Sequence, residues 1–268
     1  MFPTLPFFGL QIPTYGLLIL LGIALALLYA SLRHQALASA APESLSITGE
    51  DLLFSASFAL IAGFLGAKIL FLFTLTGAEY SVLWQHFDWQ TATLLLREGF
   101  VLYGGIIGGI LGVALYARIF LLPVFELLAA FVPAVLLAQA TGRLGCYLNG
   151  CCYGLAADPP LGVHFVSHVH TDATYLPLQL IEAAAVLVLA AALHLYTNRP
   201  RSPRRVVAFY LLGYPSLRFF LEFWRGDEER GLMGPLSLSQ WFSLALFVAG
   251  LLLQAKTRPR LTYSSGTL

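Results

Sequence analysis

The stretch TYGLLILLGIALALLYASL, residues 14–32, determines the class of fold. It contains no charged residue, and its length matches the roughly 20 apolar residues that a helix needs to cross the hydrocarbon core of a bilayer. The whole chain of 268 residues is 58% hydrophobic and only 11% charged. Soluble domains carry about 25% charged residues, so too few charges remain here to cover a surface that faces water. The composition therefore predicts an integral membrane protein.

Similar apolar segments recur along the chain and predict its architecture. They are residues 14–32, 52–76, 100–120, 122–141, 179–197, 206–224 and 237–254. This pattern predicts an all-α bundle of seven transmembrane helices. It forms a single polytopic domain over residues 1–268, with the bundle ending near residue 254 and a cytoplasmic tail over residues 255–268.

The distribution of basic residues predicts the orientation of the bundle. With the N-terminus outside, the inner segments carry Arg33, Arg118, Arg199, Arg201, Arg204, Arg205, Lys256, Arg258 and Arg260, and the outer segments carry Arg97, Arg143, Arg225 and Arg230. Because cytoplasmic loops are enriched in Lys and Arg, this bias predicts an outer N-terminus and a cytoplasmic C-terminus. Residues 142–178 then form the longest outer loop. The net charge of +1 gives no basic field that would favour nucleic acid.

The sixth segment contains polar side chains that are costly inside a membrane. Tyr214, Arg218, Glu222 and Arg225 fall within about 80° of one another on a helix, and so form one polar stripe. Arg218 and Glu222 are four residues apart and can pair along the helix. Two interpretations remain open, a structural ion pair between helices and a polar cavity for an anionic headgroup. The excess of arginine in the stripe favours an anion.

The segment GRLGCYLNGCCYG, residues 142–154, contains every cysteine of the chain. Its Arg143 lies between glycines, and a guanidinium can fork onto a phosphate with two parallel hydrogen bonds. Cys146, Cys151 and Cys152, with His164, His168 and His170, are one alternative as a zinc set, but adjacent cysteines differ from the separated pairs of typical zinc sites. A redox role is a further alternative. The favoured interpretation is that the thiols pack or line a pocket, with no metal or cofactor.

Aromatic and glycine residues mark the ends and faces of two other segments. Tyr15 and Tyr103 stand at the ends of apolar segments, where an aromatic belt and a binding site are both consistent with a tyrosine. Gly104, Gly108 and Gly112 follow Tyr103 at intervals of four residues. That spacing predicts close contact with another helix.

Six motifs in order resemble one family, over about residues 7–254. GRLGCYLNG resembles the GRLGNFING signature of the prolipoprotein diacylglyceryl transferases, and IPTYGLL, YGGIIGG, LPLQLIEA, LLGYPSLRFFLEFWR and LSLSQWFS are similar to its other motifs. The resemblance implies seven spans with an outer N-terminus, in the bacterial cytoplasmic (inner) membrane. It also implies a reaction at the outer leaflet. The diacylglyceryl group of phosphatidylglycerol moves to the lipobox cysteine of a prolipoprotein, and glycerol phosphate leaves.

The same resemblance implies roles for individual residues. It assigns catalysis to Arg143, Tyr103, Arg218 and Glu222, and substrate binding to Tyr15, Asn149, Gly154, Tyr214, Arg225 and Gln179. The implied partners are phosphatidylglycerol, the signal-peptide region of a prolipoprotein and membrane lipids. Neither a metal, a cofactor nor a nucleic acid is implied.

At several positions this sequence departs from the family pattern. Tyr103, Cys146 and Cys151 stand where the family has histidine, asparagine and glutamate, and Leu176 replaces a histidine before Pro177. These changes leave two alternatives beside the family reaction. One is a paralogous phospholipid-dependent transferase with a different acceptor, and the other is a lipid-binding membrane protein without catalysis.

Overall fold

The structure is a computed structural model that describes residues 4–7, 10–40, 46–74, 101–165, 173–226 and 232–257. Seven long helices lie in this part of the chain: α1 Thr14–Ala40, α2 Gly49–Thr74, α3 Leu102–Ile119, α4 Val124–Asn149, α5 Leu178–Thr197, α6 Pro203–Leu221 and α7 Leu238–Ala255. Three antiparallel hairpins accompany them, made of β1 Thr4–Phe7 with β2 Leu10–Pro13, β3 Val163–His164 with β4 Thr174–Tyr175, and β5 Leu232–Met233 with β6 Leu236–Ser237. His168, His170 and residues 258–268 lie outside the described residues.

The helices have the lengths and composition of a membrane protein. Six of them are long and apolar enough to cross a bilayer, and the helical stretch Tyr103–Ile119 of α3 is apolar but shorter. Large apolar side chains cover their outer surfaces, for example Leu20, Leu111 and Val188, each more than 60% exposed. In water these side chains would be unfavourable, but lipid tails solvate them. The predicted all-α membrane class is thus confirmed, while the orientation of the termini stays a prediction.

The predicted ends of the first and fourth segments were wrong by eight residues each, since α1 continues to Ala40 and α4 continues to Asn149. Helix α4 continues to Asn149, so residues 142–149 are its last two turns and not the start of an outer loop. A helix satisfies its own backbone hydrogen bonds in an apolar setting and tolerates glycine there, so Gly142 and Gly145 do not end α4. Helix α6 ends at Leu221 and continues as a 3₁₀ turn, Glu222–Trp224, after which Arg225 is extended.

The described chain divides into two compact units, residues 33–127 and residues 1–32 with 128–268. In the first unit, α2 packs along the glycine face of α3. A Cβ atom added to Gly104 would collide with the carbonyl oxygen of Gly66, and one added to Gly112 would collide with that of Phe58. The two backbones are therefore close enough to exclude side chains, as the four-residue spacing of the glycines predicted.

Alanine at Gly108 is expected to destabilise this helix pair, whereas alanine at the adjacent Gly109 is tolerated. A Cβ atom at Gly108 would collide with the carbonyl oxygen of Ala62, but a Cβ atom at Gly109 would lie 3.6 Å from the nearest atom, the oxygen of Ala59. Because overpacking costs about 1–3 kcal/mol, Gly108→Ala lowers the melting temperature in detergent, which a thermal unfolding scan measures. Equal melting temperatures for the two variants would contradict this packing.

In the second unit, helices α5, α6 and α7 form a sequential stack. Gly213 of α6 faces Leu189 of α5, and Gly250 of α7 faces Leu211 of α6. Helix α7 begins with a capping box in which the Ser237 hydroxyl accepts a hydrogen bond from the backbone N–H of Gln240. That side-chain oxygen satisfies one of the donors left without a partner at a helix start. Helix α1 lies against α4 in the same unit, where Gly142 faces Ile19.

Candidate functional site

The site is built around the C-terminal end of α4. The backbone N–H of Cys151 donates to the oxygen of Cys146 at 3.1 Å, and the N–H of Gly150 donates to the oxygen of Tyr147 at 3.2 Å. Gly150 has a φ of 75°, which glycine adopts without strain. These features define a Schellman motif, in which the third residue from the helix end contacts the second residue after it. The motif therefore brings the side chains of Cys146 and Cys151 together.

Arg143, one turn before Cys146, begins a chain of alternating charges that joins α4, α5 and α6. Its Nε atom lies 2.9 Å from Oε1 of Glu182 in α5, and Oε2 of Glu182 lies 3.5 Å from Nη1 of Arg218 in α6. Arg218 pairs through Nη2 with Oε2 of Glu222 at 2.7 Å, so the predicted i, i+4 pair is confirmed. Nη1 of Arg225 lies 3.7 Å from the same Glu222 oxygen.

Three of these five charged side chains are buried, and Arg143 and Arg225 are partly exposed. Glu182 and Glu222 are each 2% exposed and Arg218 is 8% exposed. Burial of a charge is strongly unfavourable unless an opposite charge compensates it. The alternating order of arginine and glutamate in these ion pairs supplies that compensation. Among the described residues, these ion pairs join three guanidinium groups to two carboxylates. This excess of arginine favours an anionic ligand over a cationic one.

Two tyrosines lie against Arg143 and shape its surroundings. The Arg143 guanidinium hydrogen-bonds the hydroxyl of Tyr214 from α6. Tyr15 from the start of α1 packs on Gly145, where an added Cβ atom would lie 3.0 Å from the tyrosine ring. Gly145, two residues after Arg143, therefore makes room for an aromatic ring of α1. The rings of Tyr210 and Tyr214 stack at 5.7 Å, and Tyr210 accepts a hydrogen bond from Gln139.

The segment after α4 is held in place by short backbone ladders. Gly154 and Arg225 form an antiparallel bridge, with hydrogen bonds from Leu155 N–H to the oxygen of Trp224 and from Gly226 N–H to the oxygen of Tyr153. A Cβ atom at Gly154 would lie 2.9 Å from the Leu176 side chain and 3.1 Å from the Trp224 oxygen. The bridge thus requires glycine at position 154. It also fixes the backbone of Arg225 beside residues 146–152, the cysteine segment.

Gln179 and Asn149 both contact Cys151. The side-chain amide of Gln179, which is 1% exposed, donates a 2.6 Å hydrogen bond to the backbone oxygen of Cys151. Asn149 directs its amide nitrogen at the Cys151 sulfur, 3.8 Å away. The Oε1 atom of Gln179 is buried and has no hydrogen-bond donor among the described residues. The contacts therefore anchor the segment and leave one buried acceptor at its base.

The sulfur atoms of Cys146, Cys151 and Cys152 all lie within 4.8 Å of one another. Cys146, Cys151 and Cys152 form no disulfide with one another, and Cys146 is the most buried of the three. Hydrogen bonds from the other two thiols and the positive charges of Arg225 and Arg143 lower the pKa of the Cys152 thiol. Interactions of this kind stabilise the thiolate, which is the reactive and metal-binding form of cysteine.

An apolar groove of about 360 Å³ opens beside Leu144, near the start of the segment GRLGCYLNGCCYG. Leu25 and Leu28 of α1, Leu137 and Leu144 of α4, and Leu187 of α5 line it. Leu144 directly follows Arg143 in the sequence, so the groove and the charged group share one turn of α4. A molecule with a charged head and an apolar tail matches this pairing of surfaces.

The structure brings most of the predicted site residues into one unit. Arg143, Arg218, Glu222, Arg225, Tyr214, Tyr15, Asn149, Gly154 and Gln179 are linked there by the contacts above. Tyr103 lies in the first turn of α3, which belongs to the other unit. Its assignment to the site stays a prediction.

Glu182 occupies the centre of the charged chain and was missed as a site residue. It bridges Arg143 and Arg218, whereas the sequence identifies it only as the glutamate of the motif LPLQLIEA. The signal that could have identified it is the one that singled out Arg218, an ionisable side chain inside a membrane span.

Comparison with known proteins identifies the relatives of this chain. The Prolipoprotein diacylglyceryl transferase family matches residues 3–256. The chain is 35% identical over 256 residues to phosphatidylglycerol–prolipoprotein diacylglyceryl transferase 2 of Clostridium perfringens, with 92% of this chain and 91% of the relative covered. It is 34% identical to the corresponding transferase of Clostridium tetani (91% and 92% covered) and 32% identical to that of Bordetella bronchiseptica (90% and 89% covered).

Proposed function

Because this chain belongs to the prolipoprotein diacylglyceryl transferase family, we propose that it transfers the diacylglyceryl group of phosphatidylglycerol to the lipobox cysteine of a prolipoprotein. Glycerol phosphate is the leaving group. The observation that carries the proposal is the network of ion pairs in which three arginines meet two glutamates at the end of α4, beside an apolar groove. An anionic phosphodiester headgroup with acyl chains matches this combination.

The donor lipid lies with its phosphate at Arg143 and an acyl chain in the apolar groove beside Leu144. The Arg143 guanidinium donates from Nε to Glu182, which leaves its two Nη groups for Tyr214 and for phosphate oxygens. Glu182 and Glu222 hold Arg143, Arg218 and Arg225 in place before the lipid arrives. Such fixed donors require little reorganisation when charge develops during the reaction.

Transfer requires attack by sulfur on the glyceryl carbon that bears the phosphate. The sulfur–carbon bond forms while the carbon–oxygen bond breaks, and the phosphate oxygen takes the bonding electrons. Arg143 then stabilises the negative charge that grows on the leaving glycerol phosphate, while Arg218 and Arg225 supply the surrounding positive potential. The acceptor must be a thiolate, because a thiol with a pKa near 8.5 is a weak nucleophile at neutral pH.

The remaining predicted residues take binding roles in this proposal. Tyr15 and Tyr214 border the phosphate position, Asn149 and Gln179 hold the cysteine segment, and Gly154 lets Arg225 approach it. Tyr103 is assigned to the same reaction from its place in the family motif.

The chain acts as a single domain in the bacterial inner membrane, with its N-terminus outside, its C-terminal tail in the cytoplasm, and its site at the outer leaflet. The signal-peptide region of the precursor enters from that side.

A reconstituted assay tests the function directly. Purified chain in detergent receives phosphatidylglycerol labelled in its headgroup and a peptide that contains a lipobox cysteine. We expect glycerol phosphate and a lipidated peptide in equal amounts, both dependent on the cysteine, with a lipobox serine peptide as the matched control. Release of label with the serine peptide would indicate a different acceptor. No release with either peptide would leave only lipid binding. Complementation of a cell depleted of its own transferase provides the second readout.

A further inference from the structure

The three cysteines of this chain converge on one point, although they are not evenly spaced in the sequence. Two features of the backbone cause the convergence. The Schellman motif places Cys146 beside Cys151, and Cys152 has a φ of 61° in the left-handed region. A residue other than glycine, asparagine or aspartate rarely adopts that conformation, and such outliers concentrate at functional sites. The result is a triangle of sulfur atoms, all within 4.8 Å of one another.

We propose that Cys146, Cys151 and Cys152 bind a thiophilic divalent cation of the Zn²⁺ class through their three sulfur atoms, with the fourth coordination position open. Zn–S bonds of about 2.3 Å in a tetrahedral arrangement place sulfur atoms roughly 3.8 Å apart. The triangle therefore contracts by about 1 Å or less when the ion enters. Within the described residues, the cluster contains no carboxylate or histidine that could act as a fourth ligand.

The surroundings of the triangle match a metal–thiolate centre. The Asn149 amide nitrogen, 3.8 Å from the Cys151 sulfur, supplies a second-sphere donor to a ligand atom. Gln179 fixes the backbone of Cys151 through its 2.6 Å hydrogen bond. A disulfide would join only two of the three sulfur atoms and would not account for the close approach of the third.

The open position gives the ion a task in the proposed transfer reaction, and this part of the inference rests on the proposed function. Catalytic zinc sites with three protein ligands keep a position for substrate, and a coordinated thiol loses its proton. The lipobox thiol binds there, and its proton leaves to water. Its sulfur then attacks the glyceryl carbon, the carbon–oxygen bond breaks, and glycerol phosphate departs with the bonding electrons. The ion thus supplies the thiolate in a chain where tyrosine and cysteine replace the family's histidine and glutamate.

Metal binding is tested on the full-length chain in detergent, reduced and equilibrated with Zn²⁺ alone. We expect about one zinc per chain after dialysis, protection of all three thiols from alkylation, and an ultraviolet thiolate-to-metal band when Cd²⁺ replaces zinc. Zinc should bind with release of protons, because the ligands must be deprotonated. A reduced wild-type chain that retains no zinc and shows no Cd²⁺ band would overturn the proposal, as would a disulfide that resists mild reduction.

A matched variant separates the cluster from unspecific binding to thiols. Cys152→Ser combined with Ser57→Cys keeps three thiols per chain, but moves one to an exposed position on α2. We expect this variant, and Cys146→Ser, to lose stoichiometric zinc, while Ser57→Cys alone retains it. Equal zinc in the rearranged variant would show adventitious binding and reject the site. Because Cd²⁺ titration of the wild type is informative by itself, a variant that fails to fold does not remove the test.

The role of the ion is tested separately from its binding. If zinc activates the acceptor, chelation lowers the transfer rate, Zn²⁺ restores it, and the rate of the metal-free chain rises with pH as the peptide thiol ionises. A purely structural ion would not change the pH profile in this way. Transfer that is unaffected by complete zinc removal would reject the activating role and leave the proposed function intact. Zinc binding without transfer under any condition would reject the proposed function and leave the metal site intact.

Discussion

Replacing Arg143 with alanine is expected to reduce the transfer rate by about 10²–10³-fold, a loss comparable to the removal of one fixed donor from an oxyanion site. Arg143 hydrogen-bonds Tyr214 and pairs with Glu182, and the ion pairs among the other four charged residues do not involve it. Glu182 keeps its contact with Arg218 at 3.5 Å. The variant should therefore fold, and its defect should appear in kcat more than in the melting temperature.

Two further variants make this test specific. Arg143→Lys keeps the positive charge but loses the planar fork, so we expect a rate between those of the wild type and the alanine variant. Arg118→Ala removes an arginine from an exposed position in the last turn of α3 and is expected to act like the wild type. An Arg143→Ala enzyme with a rate within about twofold of the wild type would exclude this arginine from phosphate binding and refute the proposed arrangement.

Glu182→Ala is expected to affect both stability and activity. Glu182 is 2% exposed and bridges Arg143 and Arg218, so its removal leaves two guanidinium groups near the bundle interior with one carboxylate fewer between them. Loss of one partner from a buried ion pair costs about 3–5 kcal/mol of unfolding free energy. We expect a lower melting temperature in detergent, together with a large loss of transfer. Glu182→Gln keeps the shape of the side chain and one acceptor. Its melting temperature and transfer rate should lie between those of the wild type and of Glu182→Ala.

The matched control for this prediction is Glu126→Ala. Glu126 lies in the first turn of α4, where its carboxylate accepts a 3.3 Å hydrogen bond from the Ser46 hydroxyl. Removing an acidic side chain from a helix N-terminus costs about 0.3–1 kcal/mol. Glu126→Ala should therefore unfold at nearly the wild-type temperature and retain activity. If Glu182→Ala and Glu126→Ala both had melting temperatures close to that of the wild type, the bridging role of Glu182 would be wrong.

Local regularities explain which parts of this fold could be predicted from the sequence. Apolar runs long enough to cross a bilayer identify the helices, because the membrane imposes both their length and their internal hydrogen bonding. The pair Arg218–Glu222 follows from helix periodicity. The glycines of α3 predict close contact, which the structure places against Gly63 and Gly66 of α2.

The features that the sequence did not disclose depend on contacts between distant segments. Arg143 and Glu182 are separated by 39 residues, and neither helix alone indicates that their side chains meet at 2.9 Å. Gly142 and Gly145 face side chains of helix α1, and α4 continues through both positions, which the apolar pattern alone does not indicate. The cysteine triangle depends on the left-handed conformations of Gly150 and Cys152, which spacing in the sequence does not reveal.

The unequal count of arginines and glutamates has a consequence for the choice of lipid. A bacterial membrane presents many phosphates, and most headgroups could in principle reach a guanidinium. A zwitterionic headgroup such as an ethanolamine carries its own ammonium, which the nearby guanidinium groups would repel. A glycerol headgroup brings no such cation, and its hydroxyls can hydrogen-bond to polar neighbours. The pocket can therefore discriminate among lipids by rejecting a second positive charge, without recognising any feature of the acyl chains.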